Sequence, residues 1–184
     1  MKRDAKQVLT ELLVLKAQGG EERAFSDLYE LWAPDVLRLA GFTLKESAAA
    51  KEVSQDAWIA IAKGISRLDD PARFPAWAFR ILNRRTIDWI RRRQRERMRR
   101  DAIEAEQEAV EGNQPIRNER AASLAEAIEQ LDADSRKLIH LFYETGLSVL
   151  EIAVVLDIPE GTVKSRLFKL REKLKQYMER KINE

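Results

Sequence analysis

The stretch that decides the fold of this chain is residues 148–171, which read SVLEIAVVLDIPEGTVKSRLFKLR. Ser148 and Glu151 stand at the two positions of a capping box, in which the Ser hydroxyl accepts from a backbone amide and the Glu side chain reaches back to the cap. The box opens a short helix whose inward-facing residues are Ile152, Ala153 and Leu156. A tight turn follows at Asp157-Ile158-Pro159, and a longer basic helix begins near Gly161. A short capped helix, a turn of about three residues and a longer helix predict a helix-turn-helix.

The longer helix of this motif is predicted to run from about residue 161 to residue 181, with one apolar stripe and one basic side. The stripe consists of Val163, Leu167, Leu170 and Leu174. Lys164 and Ser165 lie near the helix start, from which recognition helices reach base edges, and both can hydrogen-bond to bases. Phosphates are the expected partners of Thr162, Arg166, Lys169 and Arg171, and Glu160, Gly161 and Phe168 complete the candidate contact set. An ordinary helical hairpin with a solvated basic face is the alternative that this pattern leaves open.

The net charge of +2 hides an uneven distribution of charge along the chain. Residues 80–100 hold ten Arg against two acids, and residues 160–181 hold eight bases against three acids. Residues 101–112 hold five acids and no base, and residues 126–157 hold seven acids and two bases. Two basic blocks separated by acidic ones favour two nucleic-acid contact surfaces on two modules.

Composition excludes several other classes of protein. The chain has 184 residues, no Cys and a single His, so disulfides and thiolate metal sites are excluded. No segment reaches the ~18 apolar residues of a membrane span, and the N-terminus does not read as a signal peptide, which predicts a cytoplasmic protein. Alternating strand-like runs are lacking, which predicts an all-α fold. We expect the single His140 to pack near the core of the second module.

The first half of the chain contains four predicted helices. They cover residues 6–18, a following stretch that Pro34 must kink or divide, residues 48–63, and a long helix from about Phe74 into the Arg run. A stripe of the fourth helix that can track a phosphate backbone consists of Arg80, Arg84 and Arg91. Residues 64–73 are predicted to form a loop before this helix.

The middle of the chain, residues 94–121, is rich in Arg, Glu and Gln and has few apolar anchors, which predicts a mobile linker. The second module is predicted to begin with a capping box at Ser123 and Glu126. Asp132 or Asp134 is expected to cap its next helix, which stops at Gly146.

Four stretches of the chain, in order, resemble a known family. The sequences AFSDLY at 24–29, AKEVSQDAW at 50–58 and FPAWAFRILNRRTIDWIRRR at 74–93 resemble the first conserved region, the polymerase-binding helix and the minus-ten helix of extracytoplasmic-function (ECF) sigma factors. Residues 148–171, and GTVKSRL at 161–167 above all, resemble the C-terminal promoter-binding region of the same family. The resemblance covers nearly the whole chain apart from the linker and the extreme termini.

The resemblance implies RNA polymerase core and promoter DNA, as duplex and as melted single strand, as partners, with an anti-sigma factor as a further one. Glu52, Gln55 and Asp56 present an acidic face that suits a basic partner helix, and the resemblance places the clamp helices of polymerase there. It also implies that the loop before the fourth helix holds a base flipped from the non-template strand. The loop candidates are Leu68, Asp69, Asp70 and Arg73. In the family, the linker threads the channel that RNA will use.

The sequence therefore predicts an alternative sigma factor with two small helical domains, about residues 6–94 and 122–181, joined by an acidic flexible linker at 95–121. No enzyme activity, cofactor, metal or membrane contact is expected. One alternative is a polymerase-independent helix-turn-helix regulator, which would need a palindromic site and a dimer. Another is a nucleic-acid enzyme with a metal on Glu52 and Asp56, which would require further clustered acids or His. Because the DNA-contact surfaces are basic and the linker is acidic, we also expect the two domains to pack together in the free protein and mask these surfaces.

Overall fold

The computed structural model describes residues 5–44, 46–104, 128 and 131–182, and the regular structure within these ranges is entirely helical. The first half contains α1 (Ala5–Gln18), α2 (Glu22–Thr43), α3 (Ser47–Gly64) and α4 (Phe74–Glu104), with short 3-10 turns at Ile65–Arg67 and Pro71–Arg73. The second half contains α5 (Ala133–Ile139), a π-helical turn (His140–Glu144), α6 (Val149–Leu156) and α7 (Glu160–Ile182). The predicted all-α fold class is confirmed, with the helix-turn-helix formed by α6 and α7.

The core of the first domain forms because α1, α2, α3 and α4 pack against one another in chain order. Apolar residues at helical spacing face this core: Leu28, Trp32, Val36 and Leu39 from α2, and Val53, Ala57 and Ile61 from α3. Pro34 lies inside α2, which is a single helix, so the expectation that Pro34 could start a new helix is not met. Burial of the apolar stripe on both sides of Pro34 offsets the cost of a helix-interior proline, which is about 3 kcal/mol.

The long helix α4 continues ten residues past the domain boundary predicted at residue 94. The added turns, residues 95–104, consist mainly of Arg, Glu and Met, which are good helix formers, and contain no Gly or Pro. This part of the predicted linker is therefore helical. The rest of the linker and the predicted capping box at Ser123 and Glu126 lie outside the described residues.

The second domain is organised by its caps. The Asp132 side chain accepts from the backbone amide of Ser135 at 2.9 Å, so Asp132 rather than Asp134 caps α5. The capping box of α6 is confirmed, because the Ser148 hydroxyl accepts from the Glu151 amide and the Glu151 carboxylate accepts from the Ser148 amide at 2.8 Å. Within α6 the fully buried residues are Ile152 and Val155, while Ala153 and Leu156 are only partly buried. The left-handed residue Asp157 ends α6 with φ 55° and turns the chain into α7.

The two domains pack against each other, as expected for the free protein, through α6 on α4 and α5 on α2. His140 is fully buried at this contact rather than within the second domain alone, which corrects the expectation from the sequence. Its Nε2 lies 3.1 Å from the Asp35 carbonyl oxygen of α2, and its Nδ1 lies 2.8 Å from the Glu144 carboxylate. The ring also contacts Phe42 and Phe79 of the first domain edge-on. A polar side chain is tolerated here because both of its nitrogens have hydrogen-bond partners.

Candidate nucleic-acid interfaces

Burial of one face of α7 determines which of its residues are exposed on the opposite face. Val163, Leu167 and Leu170 are buried in the core of the second domain, so Gly161, Ser165 and Phe168 lie on the outward side. Phe168 is 65% exposed, which is unusual for an aromatic side chain and places an apolar ring in the middle of a basic helix. Lys164 lies beside this face and pairs with Glu160 at 2.7 Å on the preceding turn.

The basic residues at the sides of α7 are tied to the neighbouring elements. Arg166 pairs with Asp134 of α5 at 3.6 Å. The Arg171 Nε donates to the Tyr143 hydroxyl at 2.8 Å, and its guanidinium lies 5.7 Å from the Phe142 ring centroid. Lys169 is exposed and lines a small pocket of about 220 Å³ between α5 and α7, together with Asp132. The backbone hydrogen bond from Ser135 lowers the pKa of Asp132, although partial burial opposes this, so a carboxylate charge faces the pocket. The sequence-predicted set on α7 therefore divides into an outward face and tethered flanks.

The predicted loop between α3 and α4 contains two short 3-10 turns joined by Leu68, Asp69 and Asp70. The Asp70 side chain accepts from the Ala72 amide at 3.0 Å and pairs with Arg73 at 3.3 Å, so it caps the second turn. Leu68 is partly buried against the core, and Asp69 is exposed between these two anchored residues. This loop therefore has a defined backbone shape and presents two carboxylates to solvent, of which that of Asp70 is paired with Arg73.

The arginine stripe predicted on α4 is exposed, as Arg80, Arg84 and Arg91 all lie on the surface. Arg80 lines a surface groove with Ala153, Asp157 and Pro159 of the helix-turn-helix, so it sits at the domain contact. The predicted masking of the DNA-contact surfaces is therefore not met at these residues, because Arg80 borders the domain contact but is exposed, and the outward face of α7 is exposed as well.

The acidic face predicted on α3 lies next to α4. Glu52 and Gln55 are exposed and Asp56 is half-buried, while Ile59 of the same helix is 54% exposed. The Glu52 carboxylate accepts from the Trp89 indole at 3.2 Å, and Asp56 lines an open groove with Arg85, Arg92 and other residues of α4. In the part of the chain that the structure describes, no group of three or more His, Cys, Asp or Glu side chains is arranged to hold a metal. The arrangement combines acids and exposed apolar surface, which suits docking on a protein partner.

Sequence reasoning missed three residues that hold these surfaces in place. The Gln18 side chain of α1 donates to the loop between α3 and α4, Asn83 of α4 donates to the Val155 carbonyl of α6 at 3.0 Å, and Tyr143 accepts from Arg171. Each contact joins residues at least 28 positions apart, so helical periodicity carries no signal for it.

Comparison with family models and known proteins agrees with this two-domain arrangement. Residues 28–96 match the family model described as Sigma-70 region 2, and residues 121–174 match the model described as Sigma-70, region 4. The ECF RNA polymerase sigma-E factor of Escherichia coli (strain K12) is 30% identical over 91% of this chain and 93% of its own length. The ECF RNA polymerase sigma factor SigW of Bacillus subtilis (strain 168) is 25% identical over 94% of this chain and 98% of its own length.

Solved structures share the fold. CnrH, solved in complex with the cytosolic domain of CnrY, is similar with a TM-score of 0.60 and 25% identity over 93% of this chain and 97% of that chain. The sigma factor RpoE from Bartonella quintana, solved with the anti-sigma factor NepR, is similar with a TM-score of 0.62 and 22% identity over 84% of this chain and 96% of that chain.

The paired domains and their surfaces define a sigma-70-type transcription factor. The chain belongs to the extracytoplasmic-function group of this family. It is an alternative sigma factor, which binds RNA polymerase core and directs promoter recognition in transcription initiation. No described helix has the length and apolar character needed to span a membrane.

Proposed function

We propose how the two domains divide the work of this sigma factor. The first domain, about residues 6–94, docks on polymerase core and engages the melted minus-ten element as single strand. The second domain, about residues 122–181, reads the minus-thirty-five element as duplex. The observation that carries the proposal is the division of α7 into an outward face at Gly161, Ser165 and Phe168 and tethered basic flanks.

The outward face of α7 is suited to reading bases in the major groove. Ser165 can donate or accept, and Lys164 can donate to guanine once it leaves Glu160, which lies on the preceding turn. The exposed ring of Phe168 suits apolar contact with a thymine methyl group. Arg166 and Arg171 are held at the sides by Asp134 and Tyr143, which suits contact with phosphates on the two walls of the groove, and Lys169 and Thr162 complete that set.

Minus-ten reading is assigned to the loop between α3 and α4 and to the stripe of α4. Asp69 is exposed at the centre of the loop, between the anchored Leu68 and Asp70, and its carboxylate can accept from an exocyclic amine of an extruded base. Arg84 and Arg91 are exposed and suit the phosphates of the same strand, and Arg73 stands at the entry to α4. Arg80 is exposed as well and belongs to this set, although it lies beside the helix-turn-helix in the free protein.

Polymerase docking is assigned to the acidic face of α3. Glu52, Gln55 and Asp56 provide charge and hydrogen-bonding groups, and the exposed Ile59 provides apolar surface beside them. The chain is proposed to carry no catalysis of its own and to act in the cytoplasm, where polymerase lies. Since solved proteins of this fold were captured with partner proteins, we include an anti-sigma factor among the proposed partners.

The experiment that tests the minus-thirty-five assignment is a promoter library with every upstream base varied, transcribed by polymerase core carrying each variant. Lys164→Ala should cost about 1–3 kcal/mol at one base position and relax the preference there. Lys169→Ala should weaken all promoters alike and lower the salt dependence by about one unit of slope. Lys169 is the matched control, since it lies on the same helix and carries the same charge. If Lys169→Ala reshapes base preference while Lys164→Ala only lowers total output, α7 docks with a different face.

A further inference from the structure

The C-terminal end of α1 holds the loop that lies between α3 and α4. The Gln18 side-chain amide donates to the Ile65 carbonyl at 2.9 Å and to the Leu68 carbonyl at 2.7 Å. These acceptors are 47 and 50 residues away along the chain, so the contact exists only in the folded domain. Both 3-10 turns of the loop pack against α1 as well.

The two carbonyls that Gln18 binds are the ones that define the start of the loop. The Ile65 carbonyl closes the first 3-10 turn by accepting from the Leu68 amide at 3.1 Å. At Leu68 the backbone leaves the turn in an extended conformation, with φ −79° and ψ 107°, and its carbonyl is bound by Gln18. One side-chain amide therefore joins the first residue of the turn, Ile65, to the first extended residue after it, Leu68.

The other end of the loop is held independently by Asp70, which caps the second 3-10 turn and pairs with Arg73. Asp69 lies between the two anchors, and its side chain is exposed. Among the residues that the structure describes, the Asp69 carboxylate has no hydrogen-bond or ion-pair partner in the free protein. The backbone that Gln18 and Asp70 hold therefore sets the direction of the Asp69 Cα–Cβ bond.

We infer that Gln18 is a positioning residue for minus-ten recognition, which acts by fixing the Leu68 end of the loop so that Asp69 projects from a fixed backbone position. The inference rests on the proposed assignment of minus-ten reading to this loop. A preformed loop binds an extruded base without an entropic cost of ordering the loop. Loss of the Gln18 hydrogen bonds should therefore lower the affinity for that base and reduce the discrimination between bases. The Sigma-70 region 2 model matches residues 28–96. Gln18, which donates the hydrogen bonds that hold the loop, lies on α1 outside this segment.

The test compares holoenzymes formed by polymerase core with the full chain carrying Gln18→Met, Gln18→Lys or Gln7→Met. Met has a similar length and no donor, while the Lys ammonium can donate to both carbonyls. Gln7 lies on α1 eleven residues earlier, on nearly the same side of the helix, and is the matched control. The probes are single-stranded non-template minus-ten oligonucleotides, with one base varied at a time, from a promoter that the parent holoenzyme selects out of randomised DNA.

Gln18→Met should lower affinity for the selected strand by about tenfold and reduce discrimination at the varied base. Gln18→Lys should recover most of both, and Gln7→Met should match the parent. Affinity for core and for minus-thirty-five duplex should not change in any variant. If Gln18→Met binds and discriminates like the parent, or if Gln18→Lys is as defective as Gln18→Met, the positioning role is wrong.

Asp69→Ala separates this inference from the assignment on which it rests. If Asp69→Ala alters base preference while Gln18→Met does not, the loop reads the minus-ten element but Gln18 does not position it. If neither Asp69→Ala nor Leu68→Ala changes binding of the single strand, the loop assignment fails and the inference about Gln18 fails with it.

Discussion

The contact between the two domains contains an ion pair in which one partner, Arg38, is exposed and can be replaced without changing a buried side chain. Arg38 of α2 lies 2.8 Å from Glu144 of the π-helical turn, across the domain boundary. The Arg38 side chain is 56% exposed and that of Glu144 is 31% exposed, so water and salt screen the pair. Such an exposed pair contributes about 0.5 kcal/mol.

Arg38→Glu should open the two domains by a measurable amount. The change removes the attraction of about 0.5 kcal/mol and adds a repulsion of similar size against Glu144, for a total of about 1 kcal/mol. The ratio of open to closed protein should then rise about fivefold, since 1.4 kcal/mol corresponds to tenfold. Arg38→Gln should give about half of the free-energy effect, and Arg23→Glu, on the exposed side of α2 away from this contact, should give none.

The measurement is energy transfer between dyes on Lys63→Cys in the first domain and Glu172→Cys in the second, in a chain that has no other Cys. Transfer should fall in Arg38→Glu relative to Arg23→Glu at low salt. At 1 M salt the Debye length is about 3 Å, so the two variants should converge. Equal transfer in both variants at low salt, or a difference that persists at 1 M salt, would refute the electrostatic contribution of this pair.

Three further predictions concern docking and the caps of the second domain. Glu52→Arg combined with Asp56→Arg should weaken binding to core polymerase in a pull-down, while the circular dichroism spectrum remains that of a helical protein. Binding as tight as that of the parent would show that the acidic face of α3 is not the docking surface. Asp132→Ala should lower the free energy of unfolding by about 1 kcal/mol at neutral pH. Because the Ser135 amide lowers the pKa of Asp132, this stabilisation is complete above the ordinary carboxyl pKa of 3.8 and is lost as pH falls through the lower folded-state value. Denaturant titrations of the parent protein and Asp132→Ala at pH 7 and pH 3 should therefore give a smaller difference in the free energy of unfolding at pH 3. A difference that is the same at both pH values would contradict the dependence of the cap on the Asp132 charge. Ser148→Ala should cost about 1 kcal/mol in urea titration, and a loss below about 0.3 kcal/mol would mean that the capping box contributes little to α6.

The local features of the helix-turn-helix were readable from the sequence. The capping box at Ser148 and Glu151 depends on residues three positions apart, and the buried stripe of α7 follows from the helical repeat at Val163, Leu167 and Leu170. The exposure of Phe168 follows from the same repeat, because burial of one face of a helix determines which residues lie on the other. The all-α class and the family could be inferred because both depend on patterns within single helices.

Features that depend on the meeting of distant helices required the tertiary structure. Pro34 indicates a helix break by local rules, but burial of apolar residues on both sides of it keeps α2 a single helix. The sequence predicts that His140 packs near the core of the second domain, whereas its Nε2 faces a carbonyl of α2 that is 105 residues away. The role of Gln18 could not be predicted from the sequence, because a side-chain amide near the end of a helix is common and its partners at Ile65 and Leu68 are known only from the structure. A side-chain hydrogen bond between distant segments is specified by how whole helices pack, and neither propensity nor periodicity encodes which groups that packing brings within 3 Å.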